Sequence, residues 1–287
     1  MVDILMATYN GEHYLVEQIE SILEQDYSDW RILVRDDCST DRTMDILTQY
    51  ARSIGEDRFI VLDNNGLHLG CTGSFEVLIE SSSSEYLMLC DQDDYWLPDK
   101  MSSELLALSK LEAKYPNVPC MVFSDLFVTD EELKVSTTLW NILGFVSSNK
   151  FDWRKNLALN VVSGCTIVIN HEARSLLLPF PSVETSHDVW IACCVGRFGV
   201  VTSLSKPTMF YRQHGSNLIG STYFSLGYLT KKVIHLRSVL RSTIEICKRL
   251  GDGSDLLTVL ISKIYLNFRR LVRFLLVSAL DGSNDRK

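Results

Sequence analysis

The chain has 287 residues, 46% of them hydrophobic and 22% charged. These proportions exclude a disordered or collagen-like chain and suit one large α/β domain or two small ones. A formal net charge of -8 speaks against nucleic acid as a partner, because phosphate backbones draw cationic surfaces.

The first third alternates strand and helix patterns. Asp3 to Ala7 reads as a buried strand, and Leu15, Ile19, Ile22 and Leu23 then follow helical spacing. Arg31 to Val34 is a second strand. A helix bearing Met44, Leu47, Ala51 and Ile54 follows, with Gly55 as its stop. Phe59 to Leu62 is a third strand, Ser74 to Glu80 a helix, and Tyr86 to Cys90 a fourth strand. This succession predicts right-handed βαβ units and a parallel sheet. Ligands of such sheets lie beyond the carboxyl ends of the strands. Next come a helix from Asp99 to Tyr115, a strand at Met121 to Ser124 and an irregular stretch over 126–160. A strand at Val161 to Ile169, a helix at Val189 to Val195 and a strand at Thr208 to Tyr211 complete the body. The segment from Tyr228 onward reads as helical and basic.

Eight cysteines without a Cys-x-x-Cys pair disfavour a zinc site or a disulfide framework. The N-terminal stretch has no basic n-region, and no apolar run approaches a spanning helix, so the expected location is cytoplasmic. Charge is uneven. Residues 221–287 hold 12 Lys and Arg against 5 Asp and Glu, a balance of +7. The first 220 residues hold 16 against 31, a balance of -15. Residues 1–220 are therefore expected to form the α/β domain and 221–287 a basic helical extension.

Three loops at strand ends carry chemistry. The first reads Ala7-Thr8-Tyr9-Asn10-Gly11, the second Asp36-Asp37-Cys38-Ser39-Thr40-Asp41, and the third Asp91-Gln92-Asp93-Asp94-Tyr95-Trp96-Leu97-Pro98-Asp99. Two acidic clusters on one sheet edge repel each other unless a cation or hydrogen-bond donors neutralise them. Asp91 and Asp93 offer oxygen ligands that suit Mg²⁺ or Mn²⁺ bridged to a diphosphate. Asp41 and Asp99 are expected only to cap helices.

These three motifs, in this order and spacing, resemble the family 2 glycosyltransferases of the GT-A fold. That fold is Rossmann-like, with a mostly parallel sheet flanked by helices. The resemblance is strong over residues 1–125. Ser163-Gly164-Cys165-Thr166, His187-Asp188-Val189-Trp190 and Tyr211-Arg212-Gln213-His214-Gly215-Ser216-Asn217 are similar to the bacterial rhamnosyltransferase-like branch, which builds surface polysaccharides. The resemblance implies that Ala7, Tyr9 and Asp37 line the donor nucleotide. It implies that Asp91 contacts ribose and the metal-bound diphosphate, and that Asp93 is the more direct metal ligand. Asp188 takes the place of the catalytic base, with Glu184 as the fallback, and Arg212 and His214 the places of residues that reach the diphosphate. Trp96 and Trp190 fit stacking on sugar or base as well as they fit a core.

The implied reaction is inverting, metal-dependent and non-processive transfer from a nucleotide-sugar, dTDP-L-rhamnose first and a UDP-hexose second. The implied acceptor is a lipid-linked or oligosaccharide hydroxyl. A non-catalytic nucleotide-sugar-binding module is the remaining alternative. A nucleotidyltransferase would need a basic, Gly-rich first loop, whereas the first Lys or Arg here is Arg31. A processive synthase would carry membrane spans and a Gln-x-x-Arg-Trp motif. The extension mixes Lys231, Lys232, Arg237, Arg241, Lys248 and Arg249 with Val233, Leu236, Leu240 and Ile244. Beyond these, Leu256, Leu260, Ile261, Ile264 and Leu275 alternate with Lys263, Arg269, Arg270 and Arg273. That pattern fits docking on an anionic inner-membrane face as well as it fits helices packed on the body or in a homodimer.

Overall fold

The computed structural model describes residues 1–147, 150–215, 236–251 and 255–266. Ser216, Asn217, Lys231, Lys232, Val233, Arg269, Arg270, Arg273 and Leu275 lie outside that set.

Four strands form the parallel half of the sheet: β1 (Val2–Thr8), β2 (Trp30–Asp36), β3 (Phe59–Val61) and β4 (Tyr86–Cys90), in the order β3-β2-β1-β4. β1 is almost wholly apolar because both its faces are covered. Val2, Ile4 and Met6 face α1 (Leu15–Leu23), α2 (Thr43–Ile54) and α4 (Lys100–Lys114). Leu5 faces the opposite layer, with α3 (Gly70–Ser81), α7 (His171–Leu177) and α8 (His187–Phe198). Each fully buried aliphatic side chain contributes roughly 1.5–3 kcal/mol. Gly55, at φ 107°, ends α2 as expected.

The second half of the sheet is mixed. β8 (Ile167–Asn170) runs antiparallel to both β4 and β6 (Cys120–Thr129). β9 (Val200–Arg212) runs parallel to β6 and antiparallel to the short β5 (Tyr95–Trp96). The expected strand at Val161 to Ile169 is shorter: a 3-10 turn occupies Gly164–Thr166, and pairing starts only at Ile167. The stretch read as irregular holds the end of β6, then β7 (Val135–Thr138), α5 (Leu139–Leu143) and α6 (Trp153–Ala158). Three of its aromatics collect around one side chain: Trp140, Phe145 and Phe151 ring Phe123 at centroid distances of 5.6, 5.9 and 5.9 Å. Periodicity fails there because the segments are too short to display one.

Two capping expectations divide. The Asp41 carboxylate accepts from the Thr43 amide at 2.9 Å, at the start of α2. Asp99 stands at the N-cap of α4, but its carboxylate goes to Lys206 and makes no capping bond. α9 (Leu236–Leu250) packs on α8, burying Ile246, Cys247 and Leu250 in the same core.

Candidate active site

The three loops meet at the carboxyl ends of β1, β2 and β4. A reciprocal pair joins the first to the third: the Tyr9 amide donates to Gln92 Oε1 at 2.8 Å, and Gln92 Nε2 donates to the Tyr9 carbonyl at 3.0 Å. Asn10 ties the first loop to the second, donating its amide to Ser39 Oγ at 2.8 Å and accepting from the Thr40 amide at 2.8 Å. Asp36 organises the second loop from within, accepting from Thr8 Oγ1, the Ser39 amide and Ser39 Oγ. Gln92 had no signal of its own, being the variable letter inside the acidic motif.

Ala7 is half-buried against the core at the mouth of this loop set. The Tyr9 ring is 48% exposed and lies 5.0 Å from the ring of His68. It therefore offers an open aromatic face at the sheet edge. Asp37 is different, because its carboxylate is enclosed by the chain's own donors. Arg35 Nη1 reaches it at 2.6 Å, the Leu69 amide at 2.7 Å and the Gly70 amide at 2.8 Å. Gly70 meets it with φ 72°, a backbone that favours glycine. Burial alone would raise the Asp37 pKa, but these bonds and the nearby His68 outweigh it and hold it below the usual range. Asp37 thus fixes the walls around Tyr9, with Arg35 and His68 as partners that the motif did not reveal.

The third loop concentrates negative charge. Asp94 is fully buried; its Oδ1 accepts from the Arg212 amide at 3.2 Å, and its Oδ2 has no partner among the described residues. Ligand atoms of Asp91, Asp94 and Cys165 all lie within 4.8 Å of one another. His214 Nε2 sits 3.0 Å from Asp93 Oδ2, with its ring 4.7 Å from that of Tyr14. Burial, then Asp93, then Asp188, push the Asp91 pKa up to about 7. Crowded carboxylates, an orphaned buried oxygen and an adjacent imidazole suit a hard divalent cation. The ligand atoms that converge are those of Asp91, Asp94 and Cys165, while Asp93 Oδ2 lies against His214.

With its pKa pushed up to about 7, Asp91 in the metal-free protein keeps a proton below neutral pH that a cation must displace. Mn²⁺ affinity is therefore expected to rise about tenfold per pH unit up to about pH 7, then level off. The sign for stability is opposite. A raised carboxyl pKa makes the empty fold less stable as pH climbs from about 3.9 towards 7. Calorimetric titration with Mn²⁺ checks the first statement; an affinity flat between about pH 6 and pH 8 would show that Asp91 has no proton to lose.

Asp188 faces this cluster from the start of α8. Its Oδ1 accepts from the Val189 amide at 2.7 Å, and its Oδ2 accepts from Asn160 Nδ2 at 2.9 Å. Asn160 is itself held by Val162, donating to its carbonyl at 2.8 Å. The N-cap of α8 is Ser186, so Asp188 already stands within the first turn. His187 is buried, with its ring 4.1 Å from that of Phe75 and its Nδ1 3.8 Å from Cys71 Sγ. Burial lowers its pKa and favours the neutral ring. A Cβ on Gly164 would collide with His187 Nε2, which is why these two motifs carry a glycine and a histidine at the contact. The Cys71 thiol feels Asp91, Asp188, Asp93 and Asp37 together, and burial with these charges pushes its pKa up. All four carboxylates therefore lie within electrostatic range of that thiol.

Four further side chains named from the sequence are held by the chain itself. The Arg212 guanidinium is buried against Glu17 and the Glu131 carbonyl, 4.6 Å over the Tyr14 ring, and its Nε donates to the Asp93 carbonyl of the acidic loop. Trp96 is buried with the ammonium of Lys100 4.9 Å from its ring, above the buried Lys100–Glu104 ion pair. Trp190 is buried and donates Nε1 to the Leu177 carbonyl. Both tryptophans are core residues. Glu184 bonds to α9 through Ser238 and Ser242.

A family model described as Glycosyl transferase family 2 matches residues 3–167. That span covers β1 through the acidic loop to the start of β8. The chain belongs to glycosyl transferase family 2. The dTDP-rhamnosyl transferase RfbG of Shigella flexneri is 27% identical over 274 residues, which cover 87% of this chain and 86% of RfbG. An Escherichia coli relative, the UDP-Glc:alpha-D-GlcNAc-diphosphoundecaprenol beta-1,3-glucosyltransferase WfgD, is 29% identical over 63% of each chain. Among solved structures, S. aureus TarS 1-349 in complex with UDP-GlcNAc superposes with a TM-score of 0.64 at 17% identity, over 93% of this chain and 72% of that one. The Pyrobaculum calidifontis mannosyltransferase PcManGT, with GDP-Man and Mn2+, gives 0.61 at 17% identity over 100% and 75%. The glycosyltransferase therefore has the GT-A fold, with its mixed half built by the antiparallel β8.

Proposed function

We propose that this glycosyltransferase moves a sugar from a nucleotide-diphosphate donor to a hydroxyl of a bacterial polysaccharide precursor, with inversion at the anomeric carbon. The observation that carries the reading is Asp188 held opposite the Asp91–Asp93–Asp94 cluster. Asp188 has one bond to each oxygen and a lone pair to spare on each. That is the arrangement a general base needs: it takes the acceptor's proton as the oxygen attacks the anomeric carbon. Asp91 and Asp93 would hold Mg²⁺ or Mn²⁺, which when bound offsets the charge of the departing diphosphate. Tyr9 and Ala7 border the base and ribose, and Asp37 sets the wall behind them. In this reading His214, against Asp93, meets the diphosphate, and Arg212 secures the loop that carries it. One base and no carboxylate nucleophile suffices for inversion.

RfbG, alike over most of both chains, favours dTDP-L-rhamnose as donor. The likeness to WfgD supports a second reading with a UDP-hexose, and its name supports a lipid-diphosphate acceptor. Such an acceptor places the work at the inner membrane face, on the cytoplasmic side. No helix among the described residues is long and apolar enough to cross a membrane. The test is release of nucleotide diphosphate with Mn²⁺ across dTDP-rhamnose, UDP-glucose and GDP-mannose. Fastest release from dTDP-rhamnose is expected. Faster release from UDP-glucose would select the second reading, and no release from any donor, with or without acceptor lipid, would overturn transfer.

A further inference from the structure

α9 and the helical stretch over 255–266 mix basic and apolar residues alike, but the fold uses them differently. α9 is a strut. Its Ile246, Cys247 and Leu250 are buried, Ser242 Oγ donates to the Glu184 carbonyl at 2.7 Å, and Arg197 Nε donates to the Leu250 carbonyl at 2.6 Å. In the next helical stretch one side packs on the body. Val259 is buried in the same core, and Lys263 Nζ donates to Thr243 Oγ1 on α9 at 2.7 Å. The other side carries Leu257, Ile261 and Ile264 at 66%, 58% and 74% exposure. Steps of four and three residues place these on one stripe. Grouped aliphatics of this kind mark an interaction surface, whereas single exposed ones do not.

Charge decides what the surface meets. Residues 256–280 contain Lys263, Arg269, Arg270 and Arg273 and no Asp or Glu, on a chain whose first 220 residues carry -15. The sequence continues the apolar spacing at Phe268, Val272 and Leu275, between those arginines. A second copy docked about a two-fold axis would bring one net-positive segment against another. An anionic bilayer surface draws them instead and accepts the stripe at the boundary of headgroups and acyl chains.

We propose that the Leu257–Ile261–Ile264 face docks the enzyme on an anionic lipid surface, with α9 holding that face to the catalytic body. The docking rests on the proposed lipid-linked acceptor for its use, but its test needs no turnover. The full chain is sedimented with vesicles of phosphatidylethanolamine and phosphatidylglycerol, and with neutral phosphatidylcholine vesicles. Binding to the anionic vesicles alone is expected, weakening with salt. Ile261→Ser with Ile264→Ser should weaken it about tenfold or more, and Leu257→Ser alone should weaken it less. Ile244→Ser, on the strut, should leave it unchanged. Unchanged binding of the double variant overturns the proposal. So does a concentration-dependent dimer that the double variant dissolves, in a protein that ignores vesicles. A large fall in Tm of the double variant, with vesicle binding intact, would mean that the chain covers this face itself. Donor turnover in solution reads separately: its absence with vesicle binding intact counts against sugar transfer and not against docking.

Discussion

Asp188→Asn is expected to lose about 10²–10⁴-fold in transfer rate, the usual contribution of a positioned base, while donor affinity stays near wild type. The reason lies in how the carboxylate is held. The Val189 amide donates to Oδ1, and an asparagine carbonyl oxygen accepts that bond equally well. The other oxygen receives Asn160 Nδ2, and an amide NH₂ placed there faces donor against donor. Asn160 cannot readily turn over to repair this, since its Nδ2 also donates to the Val162 carbonyl and its Oδ1 accepts from the Val162 amide. One unsatisfied buried group costs about 1–3 kcal/mol, so a modest fall in Tm should accompany the loss. Donor binding by calorimetry and transfer rate on the same variant separate the two effects. Transfer near wild type would move the base elsewhere. Glu184 is then a poor substitute, because its side chain is bonded to Ser238 on α9.

Asp93→Ala should fall by about 10²–10³-fold in turnover, the scale seen when a charge-stabilising group is removed from an active site. It should do so without unfolding. Asp93 is the first-ranked charge pushing the Asp91 pKa up to about 7, after burial itself. Removing it lets Asp91 ionise more easily and relieves the repulsion in the empty site. The variant measured without metal should therefore match or exceed wild type in Tm near neutral pH, while Mn²⁺ stabilises it less than it stabilises wild type. His214 loses its partner at the same time. Full turnover of the variant in the presence of EDTA would remove the metal from the reading, and a Tm far below wild type would show that Asp93 holds the loop and not a cation.

The chain order of residues was enough to place β1 to β4, α1, α2 and α4, because long apolar repeats bounded by Gly and Asp are read locally. It was also enough to put the acidic loops on one sheet edge, since parallel strands joined by helices end on the same side. The pairing of motifs was not legible. Gly164 and His187 are 23 residues apart and meet only because α8 packs beside the turn before β8. Asn160 orients Asp188 from a segment with no periodicity. Arg212 and Asp37 have the residue types of ligand contacts, yet their bonds go largely to the chain itself, to Glu17 and Glu131 in one case and to Arg35, Leu69 and Gly70 in the other. The tail divides for the same reason. α9 and the stretch over 255–266 share a composition, and only packing against the rest of the fold decided which apolar face is buried and which stays open. Local spacing records what one element prefers, whereas burial and hydrogen-bond partners are set by elements distant in sequence that the fold brings together.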